Sequence, residues 1–197
     1  DYKPANVHEA EEAGISIIMQ QPNFAYNLSV AENIFMGQDK RFTNKLGLID
    51  WKKQNKAAAE ILKKCKYDNI KPTDILSDLG YEETKQVEIA RALSSNPKVL
   101  LVDETSAAIS KTSVESLYAL LRELAAKGCA VIYISHFIDE VYALCDRVSI
   151  LRDGKLITKM EINENVNSDI IIKNMVGRDV SLESYRSEDQ SSISDVM

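Results

Sequence analysis

Two unbroken apolar runs constrain the fold of this chain more than any other feature. They occupy residues 99–102 and 130–134, and the segment between them keeps its apolar residues at helical spacing. Continuous apolar runs of this length are typical of strands buried on both faces. A third run at residues 15–19, after Gly14, predicts another such strand. The sequence therefore predicts an α/β fold with a parallel sheet covered by helices on both faces.

Helical patterns fill much of the remaining chain. Helices are predicted at residues 28–35, after Asp50 as N-cap, at 81–93 and around 138–144. The turn Asp153-Gly154 predicts a hairpin of residues 147–151 and 155–160. We expect one domain over residues 1–180, with a helical subdomain at about 22–95 and a core sheet at 96–162. Residues 181–197 are polar and Ser-rich, which predicts a flexible tail or linker.

Composition excludes several classes of protein. The formal net charge is -6 and the lysines form no basic stripe, so we expect no nucleic-acid partner. The three cysteines form no C-x-x-C pair, which disfavours a disulfide framework or a zinc site. No apolar run approaches the roughly 20 residues of a membrane-spanning helix. If the protein works at a membrane, we expect it to dock onto a subunit that spans the bilayer.

Two carboxylates follow the strongest strand directly. Asp103 and Glu104 come after residues 99–102, which places them at the carboxyl edge of the predicted sheet, where open α/β sheets bind ligands. In P-loop ATPases the first such acid helps to hold magnesium, and the next can polarise the attacking water. A strand that simply ends in an acidic turn would show the same pattern.

Two further polar residues follow strands. His136 lies 33 positions after Asp103, a spacing that fits a strand–helix–strand crossover and would bring both to one edge of the sheet. Gln20 follows the 15–19 run and could ligate magnesium through its amide oxygen. A structural histidine and a plain loop glutamine are the alternative interpretations.

These residues, in this order, resemble the ATP-binding-cassette (ABC) ATPases over nearly the whole chain to about Val180. The resemblance implies a P-loop NTPase-like sheet with a helical subdomain, and it implies ATP and Mg²⁺ as cofactors. Gln20 matches the Q-loop glutamine and Asp103 the Walker B aspartate, both near the magnesium. Glu104 matches the catalytic glutamate and His136 the switch histidine.

Four shorter segments indicate one subgroup of this family. Residues 31–37, 49–51, 133–136 and 175–178 are similar to the first cassette of tandem-cassette subunits that energise monosaccharide importers of the ribose and galactose type. This implies an ATP-hydrolysing subunit at the cytoplasmic face of the cell membrane. Its implied partners are transmembrane permease subunits and a second cassette.

The chain departs from that family in its phosphate-binding loop. None of its seven glycines begins the G-x-x-x-x-G-K-[ST] motif, whose amides and lysine bind the phosphates. In the family this loop lies upstream of the position that matches Asp1, so we expect the N-terminal part to be absent from this chain. The isolated chain is accordingly expected to bind ATP poorly and to be inactive.

The family signature is altered as well. A gapless alignment from Gln86 puts Leu79-Gly80-Tyr81-Glu82-Glu83 where the family has Leu-Ser-Gly-Gly-Gln. The resemblance implies that Gly80, Tyr81 and Glu82 meet ATP held by the opposing cassette. There Tyr81 would crowd the approach and Glu82 would add a negative charge. Thr105-Ser106 and Ser110 also replace residues common in the family.

Two alternative functions remain. The altered signature also fits a catalytically inactive cassette remnant that acts as an interaction or regulatory module. A DNA-repair ATPase with a split head is a third hypothesis, which the net charge of -6 disfavours.

Overall fold

The computed structural model describes residues 2–21, 23–105, 109–163 and 168–176; the predicted tail at 181–197 and Ser106 lie outside these ranges. In chain order the elements are α1 (Val7–Glu12), β1 (Ile15–Ile18), α2 (Val30–Ile34), α3 (Trp51–Lys64), α4 (Tyr81–Ser94), β2 (Val99–Asp103), α5 (Lys111–Ala126), β3 (Ala130–Ile134), α6 (Ile138–Leu144), β4 (Arg147–Arg152), β5 (Lys155–Glu161) and α7 (Ser168–Val176). None of these helices is long and apolar enough to cross a bilayer. The chain forms two compact units, Asp1–His136 and Phe137–Met197.

A parallel sheet in the order β1-β2-β3 organises the first unit. Ile18 pairs with Val102, and Leu101 pairs with Ile132. Helix α5 connects β2 to β3, which is the predicted crossover. The predicted parallel α/β fold is therefore confirmed.

The two faces of this sheet differ in burial. On one face Ile18, Leu100 and Val102 are fully buried, where α4 contacts β1 and α5 contacts β3. On the other face Ile17, Ile132 and Ile134 are about half exposed. The predictions that β3 is buried and that both faces are covered are therefore wrong for the described residues. An apolar run predicts a strand, but it does not show how many layers pack on it.

The helices between β1 and β2 begin at capping residues. Ser29 and Glu32 form a reciprocal capping box at the start of α2. The carboxylate of Asp50 accepts a hydrogen bond from the amide of Lys53 at 3.0 Å, which confirms the predicted N-cap of α3. Helix α2 packs against both α3 and α4. These contacts make a helical layer whose last member, α4, leads into β2.

The second unit contains the predicted hairpin. β4 and β5 pair antiparallel across Asp153 and Gly154, whose φ angles of 51° and 73° are typical of a type I′ turn. Ile150 on β4 and Ile171 on α7 are almost fully buried. The side chain of Arg152 donates to the carbonyl of Asn174, so α7 is bonded to the hairpin.

Candidate active site at the carboxyl edge of the sheet

Four of the residues singled out from the sequence meet at one edge of the sheet. Asp103 ends β2 and Glu104 follows it, whereas Gln20 and His136 lie two residues past the ends of β1 and β3. Because the strands are parallel, their carboxyl ends share one edge. We call these four residues the rim cluster; all of them belong to the first unit.

Glu104 is the centre of the rim cluster. Its Oε2 accepts a hydrogen bond from Nε2 of Gln20 at 2.8 Å, and its Oε1 lies 3.1 Å from Nδ1 of His136. An ionised carboxylate only accepts hydrogen bonds, so the amide nitrogen of Gln20 must face it and Oε1 of Gln20 remains an acceptor for another group. The amide of Glu104 donates to the carbonyl of Ile134 at 3.0 Å, which ties this position to β3.

The backbone of Glu104 is left-handed, with φ of 41°. A non-glycine residue costs about 1–2 kcal/mol in this region. Strain of this kind is held only where the surrounding structure enforces it, and it clusters at functional sites. Its side chain keeps 32% of its area exposed, so water can reach the carboxylate.

Asp103 differs from Glu104 in its contacts. No group in the described parts of the chain bonds to the carboxylate of Asp103, which is half-buried. Its backbone carbonyl accepts a hydrogen bond from the hydroxyl of Thr105. Nor do the described residues include a cluster of three His, Cys, Asp or Glu side chains that could hold a metal by themselves. Mg²⁺ commonly binds through one or two carboxylates together with substrate phosphates. The half-buried carboxylate of Asp103 is therefore the group of the rim cluster that fits a magnesium ion delivered with a nucleotide.

The residues at the signature position lie elsewhere on the first unit. Gly80 is the N-cap of α4, and Tyr81 is 58% exposed. The carboxylate of Glu82 accepts hydrogen bonds from the hydroxyls of Ser110, at 2.7 Å, and Ser113. These bonds lower the pKa of Glu82. Gly80, Tyr81 and Glu82 line a surface cleft of about 490 Å³, and no hydrogen bond within the described ranges joins them to the rim cluster.

The sequence analysis did not identify two further residues that are candidates for a role at this site. Lys85 and Glu88 on α4 are buried, with side-chain exposures of 1% and 6%, and they bond to the chain just after β1. Charged residues on a helix are usually exposed, so nothing in the pattern singled them out. The only available sequence signal concerned Glu88, which lies between the apolar residues Val87 and Ile89 on a helix whose apolar residues are not confined to one face.

The family of the chain follows from a comparison with known proteins. The family model described as "ABC transporter" matches residues 2–107, which is just over half of the chain. The chain belongs to the ABC transporter family. The matched range includes Gln20, Asp103 and Glu104, and it ends before His136.

A curated ABC relative supports the resemblance to sugar importers. The chain is 38% identical over 172 residues to the ribose import ATP-binding protein RbsA of Geobacillus kaustophilus (strain HTA426). The alignment covers 87% of this chain and 34% of the relative, so the chain spans about a third of the relative's length.

Solved ABC cassettes share the fold. A nucleotide-free ATP-binding cassette from an ABC transporter is 25% identical, with a TM-score of 0.66 over 86% of this chain and 67% of that one. The cassette MJ0796, in a dimeric post-hydrolysis state bound to ADP and Pi, is 21% identical, with a TM-score of 0.66 over 79% of this chain and 67% of that one. The predicted ABC ATPase fold is confirmed.

Proposed function

We propose that this chain is part of the ATP-hydrolysing subunit of an ABC importer, with a monosaccharide as cargo. The observation that carries the proposal is the carboxylate of Glu104, which is bonded to Gln20 and His136 at the carboxyl edge of the sheet. The ribose import function in the name of the 38% identical relative supports a sugar as the cargo.

In this proposal Glu104 is the general base. Gln20 and His136 hold its carboxylate in one orientation, and its exposed fraction lets a water molecule approach. Asp103, whose carboxylate is not bonded to any described residue, would hold Mg²⁺ together with the side-chain amide of Gln20. When bound, Mg-ATP supplies the phosphoryl group and the cation that neutralises its charge. The phosphate-binding amides must come from a P-loop, and this sequence has no such motif.

We further propose that the subunit works with partners. Transmembrane permease subunits would carry the cargo, with this chain at the cytoplasmic face of the membrane. Gly80, Tyr81 and Glu82 would face ATP bound to a second cassette, since they line an open cleft at the N-terminal end of α4. The hydroxyls of Ser110 and Ser113 already bond to the carboxylate of Glu82, which lessens the repulsion expected between that charge and a phosphate.

One observation favours a second candidate function. Tyr81 is 58% exposed at a position where the family has a small residue. A bulky side chain there would hinder the approach of a nucleotide across a cassette dimer. An inactive cassette that pairs with an intact one as an interaction or regulatory module is therefore the alternative to the hydrolytic role.

The proposal is tested in a version of the protein that is preceded by a P-loop segment. Glu104→Gln keeps the size of the side chain but removes the basic carboxylate, so turnover should fall by at least about 100-fold. Binding of Mg-ATP should persist in this variant, whereas Asp103→Asn should weaken it. The measurements are phosphate release and equilibrium nucleotide binding for each variant.

The control is Glu123→Gln, which removes an exposed carboxylate on α5 that pairs with Lys127, the C-cap residue of this helix. This variant should hydrolyse ATP at the parental rate. Parental turnover in Glu104→Gln would remove Glu104 from the mechanism. Absence of hydrolysis in the parent, with intact nucleotide binding, would favour the regulatory module.

A further inference from the structure

We propose that the buried Lys85–Glu88 pair is a positioning device for Gln20 and thereby sets the contact between Gln20 and Glu104. Its importance for catalysis rests on the proposed function, but the positioning itself does not. Neither residue touches the rim carboxylates in the described contacts; both act through the backbone of Met19 and Gln20.

The pair binds both backbone groups of one residue. Oε1 of Glu88 accepts a hydrogen bond from the amide of Met19 at 2.7 Å. Nζ of Lys85 donates to the carbonyl of Met19 at 2.6 Å and to Oε2 of Glu88 at 2.8 Å. These three bonds close a ring through Met19, which is the first residue after β1. Met19 therefore cannot shift without breaking a bond to a buried charge.

The third proton of the Lys85 ammonium reaches the next residue. Nζ of Lys85 lies 3.3 Å from the carbonyl of Gln20, so all three donors of this ammonium have acceptors. The same Gln20 donates from its side chain to Glu104, 84 positions further along the chain. The backbone of Gln20 is thus fixed by α4 while its side chain reaches the end of β2.

The choice of residues argues for positioning rather than for stability. A buried ion pair often stabilises a protein no more than well-packed apolar residues of similar volume would. An apolar pair at these positions could fill the space, but it could not bond to the amide and carbonyl of Met19. The charged pair therefore fixes the position of the backbone directly after β1, which an apolar pair would not do.

The test replaces the pair in the 197-residue chain with residues of similar volume, Lys85→Met together with Glu88→Leu. Both charges leave at once, so no unpaired charge stays buried. Exchange of the Met19 amide should then rise by about tenfold or more, because its hydrogen bond to a charged acceptor is lost. The NMR signals of the Gln20 side-chain amide should move to the positions they take in Glu104→Ala, the reference in which no side-chain acceptor is left at this position.

Two further variants make the test specific. Ile89→Val loosens the buried side of α4 and removes no hydrogen bond to Met19, so it should leave the Gln20 signals at their parental positions. Glu88→Gln is nearly isosteric, so it replaces the double variant in this test if the double variant does not fold. It weakens the acceptor of the Met19 amide, and it should speed exchange at Met19 and move the Gln20 signals part of the way. Parental Gln20 signals in either folded variant of the pair would overturn the proposal.

The outcome is independent of the proposed function because neither readout requires nucleotide. If the Gln20 signals move as expected while a P-loop-carrying parent fails to hydrolyse ATP, the positioning role stands and the hydrolytic role fails. If the parent hydrolyses ATP and the Gln20 signals stay in place, the reverse holds.

Discussion

The left-handed backbone of Glu104 has a measurable cost. With φ of 41°, any side chain with a Cβ is strained there, whereas glycine is not. We expect Glu104→Gly to have a higher free energy of unfolding than Glu104→Ala, by up to about 1 kcal/mol, because the relief of strain outweighs the greater entropy of glycine in the unfolded chain. Chemical denaturation of both variants measures the difference.

A comparison inside a helix supplies the control for this prediction. Glu123 lies within α5, where glycine is less favourable than alanine by about 1 kcal/mol. Glu123→Gly should therefore be less stable than Glu123→Ala, the opposite order. The same order at both positions would mean that the backbone of Glu104 is not strained in solution.

The hydroxyls around Glu82 make its ionisation depend on α5. Hydrogen bonds from Ser113 and Ser110 lower the pKa of Glu82. A carboxyl whose pKa is lower in the folded state stabilises that state above its ordinary pKa, and this contribution is lost as pH falls through the lowered value. Ser113→Ala should raise the pKa of Glu82 towards its ordinary value, and carboxyl NMR titration measures the change.

Ser116→Ala is the matched control for that titration. Ser116 lies on the same helix, and its hydroxyl donates to the carbonyl of Thr112. The pKa of Glu82 should not respond to this change. If Ser113→Ala also leaves the pKa of Glu82 in place, the bonds between Glu82 and α5 do not persist in solution.

Helix α2 fastens the segment before it through one buried amide. Asn33 is fully buried, and its side chain bonds to the amide and carbonyl of Ala25 and to the carbonyls of Leu28 and Ser29. Asn33→Ala leaves the amide of Ala25 without its acceptor, whereas the three carbonyls keep backbone donors, so the free energy of unfolding should fall by about 1–3 kcal/mol. Denaturant titration tests this value. The exposed Asn69, whose side chain donates to the carboxylate of Glu83, should tolerate the same change with little loss.

The elements that sequence reasoning placed correctly were those with a local signal. Asp50 before a helical pattern identified the start of α3, and Asp153-Gly154 between two apolar segments identified the hairpin. Strand ends also located Gln20, Glu104 and His136 at one edge, because parallel topology follows from the order of the elements. Their roles in catalysis stay predictions.

The features that sequence reasoning missed depend on partners far away in the chain. The sequence pattern predicts Lys85 to be a solvated helix residue. Its acceptors on Met19 and Gln20 lie more than 60 positions upstream, so no local pattern indicates these bonds. The bonds from Ser113 and Ser110 to Glu82 likewise join separate helices. The half exposure of β3 was missed because an apolar run carries no information on the layer that covers it.

At the scale of the whole molecule, the open face of the sheet predicts self-association. Ile17, Ile132 and Ile134 are 46%, 51% and 46% exposed and lie on one face. Contiguous exposed apolar surface favours association. We expect the 197-residue chain to show concentration-dependent sedimentation, and the double variant Ile132→Thr, Ile134→Thr to reduce it.

A single exposed leucine provides the comparison. Leu46 is 84% exposed and lies in the connection between α2 and α3. Leu46→Thr removes a similar amount of apolar surface from a different place, so it should leave the sedimentation unchanged. A monomeric parent at every concentration would contradict this prediction.

The pairing of β1 with β2 also has a consequence for the order of folding. Ile18 pairs with Val102, so this ladder closes a loop of 84 residues, within which α2, α3 and α4 make contacts of shorter range. Loop closure of this length costs chain entropy before any long-range contact compensates for it, and non-local pairing slows folding. The helices should consequently gain structure first, and the contact between Gln20 and Glu104 should form only in the final, rate-limiting step.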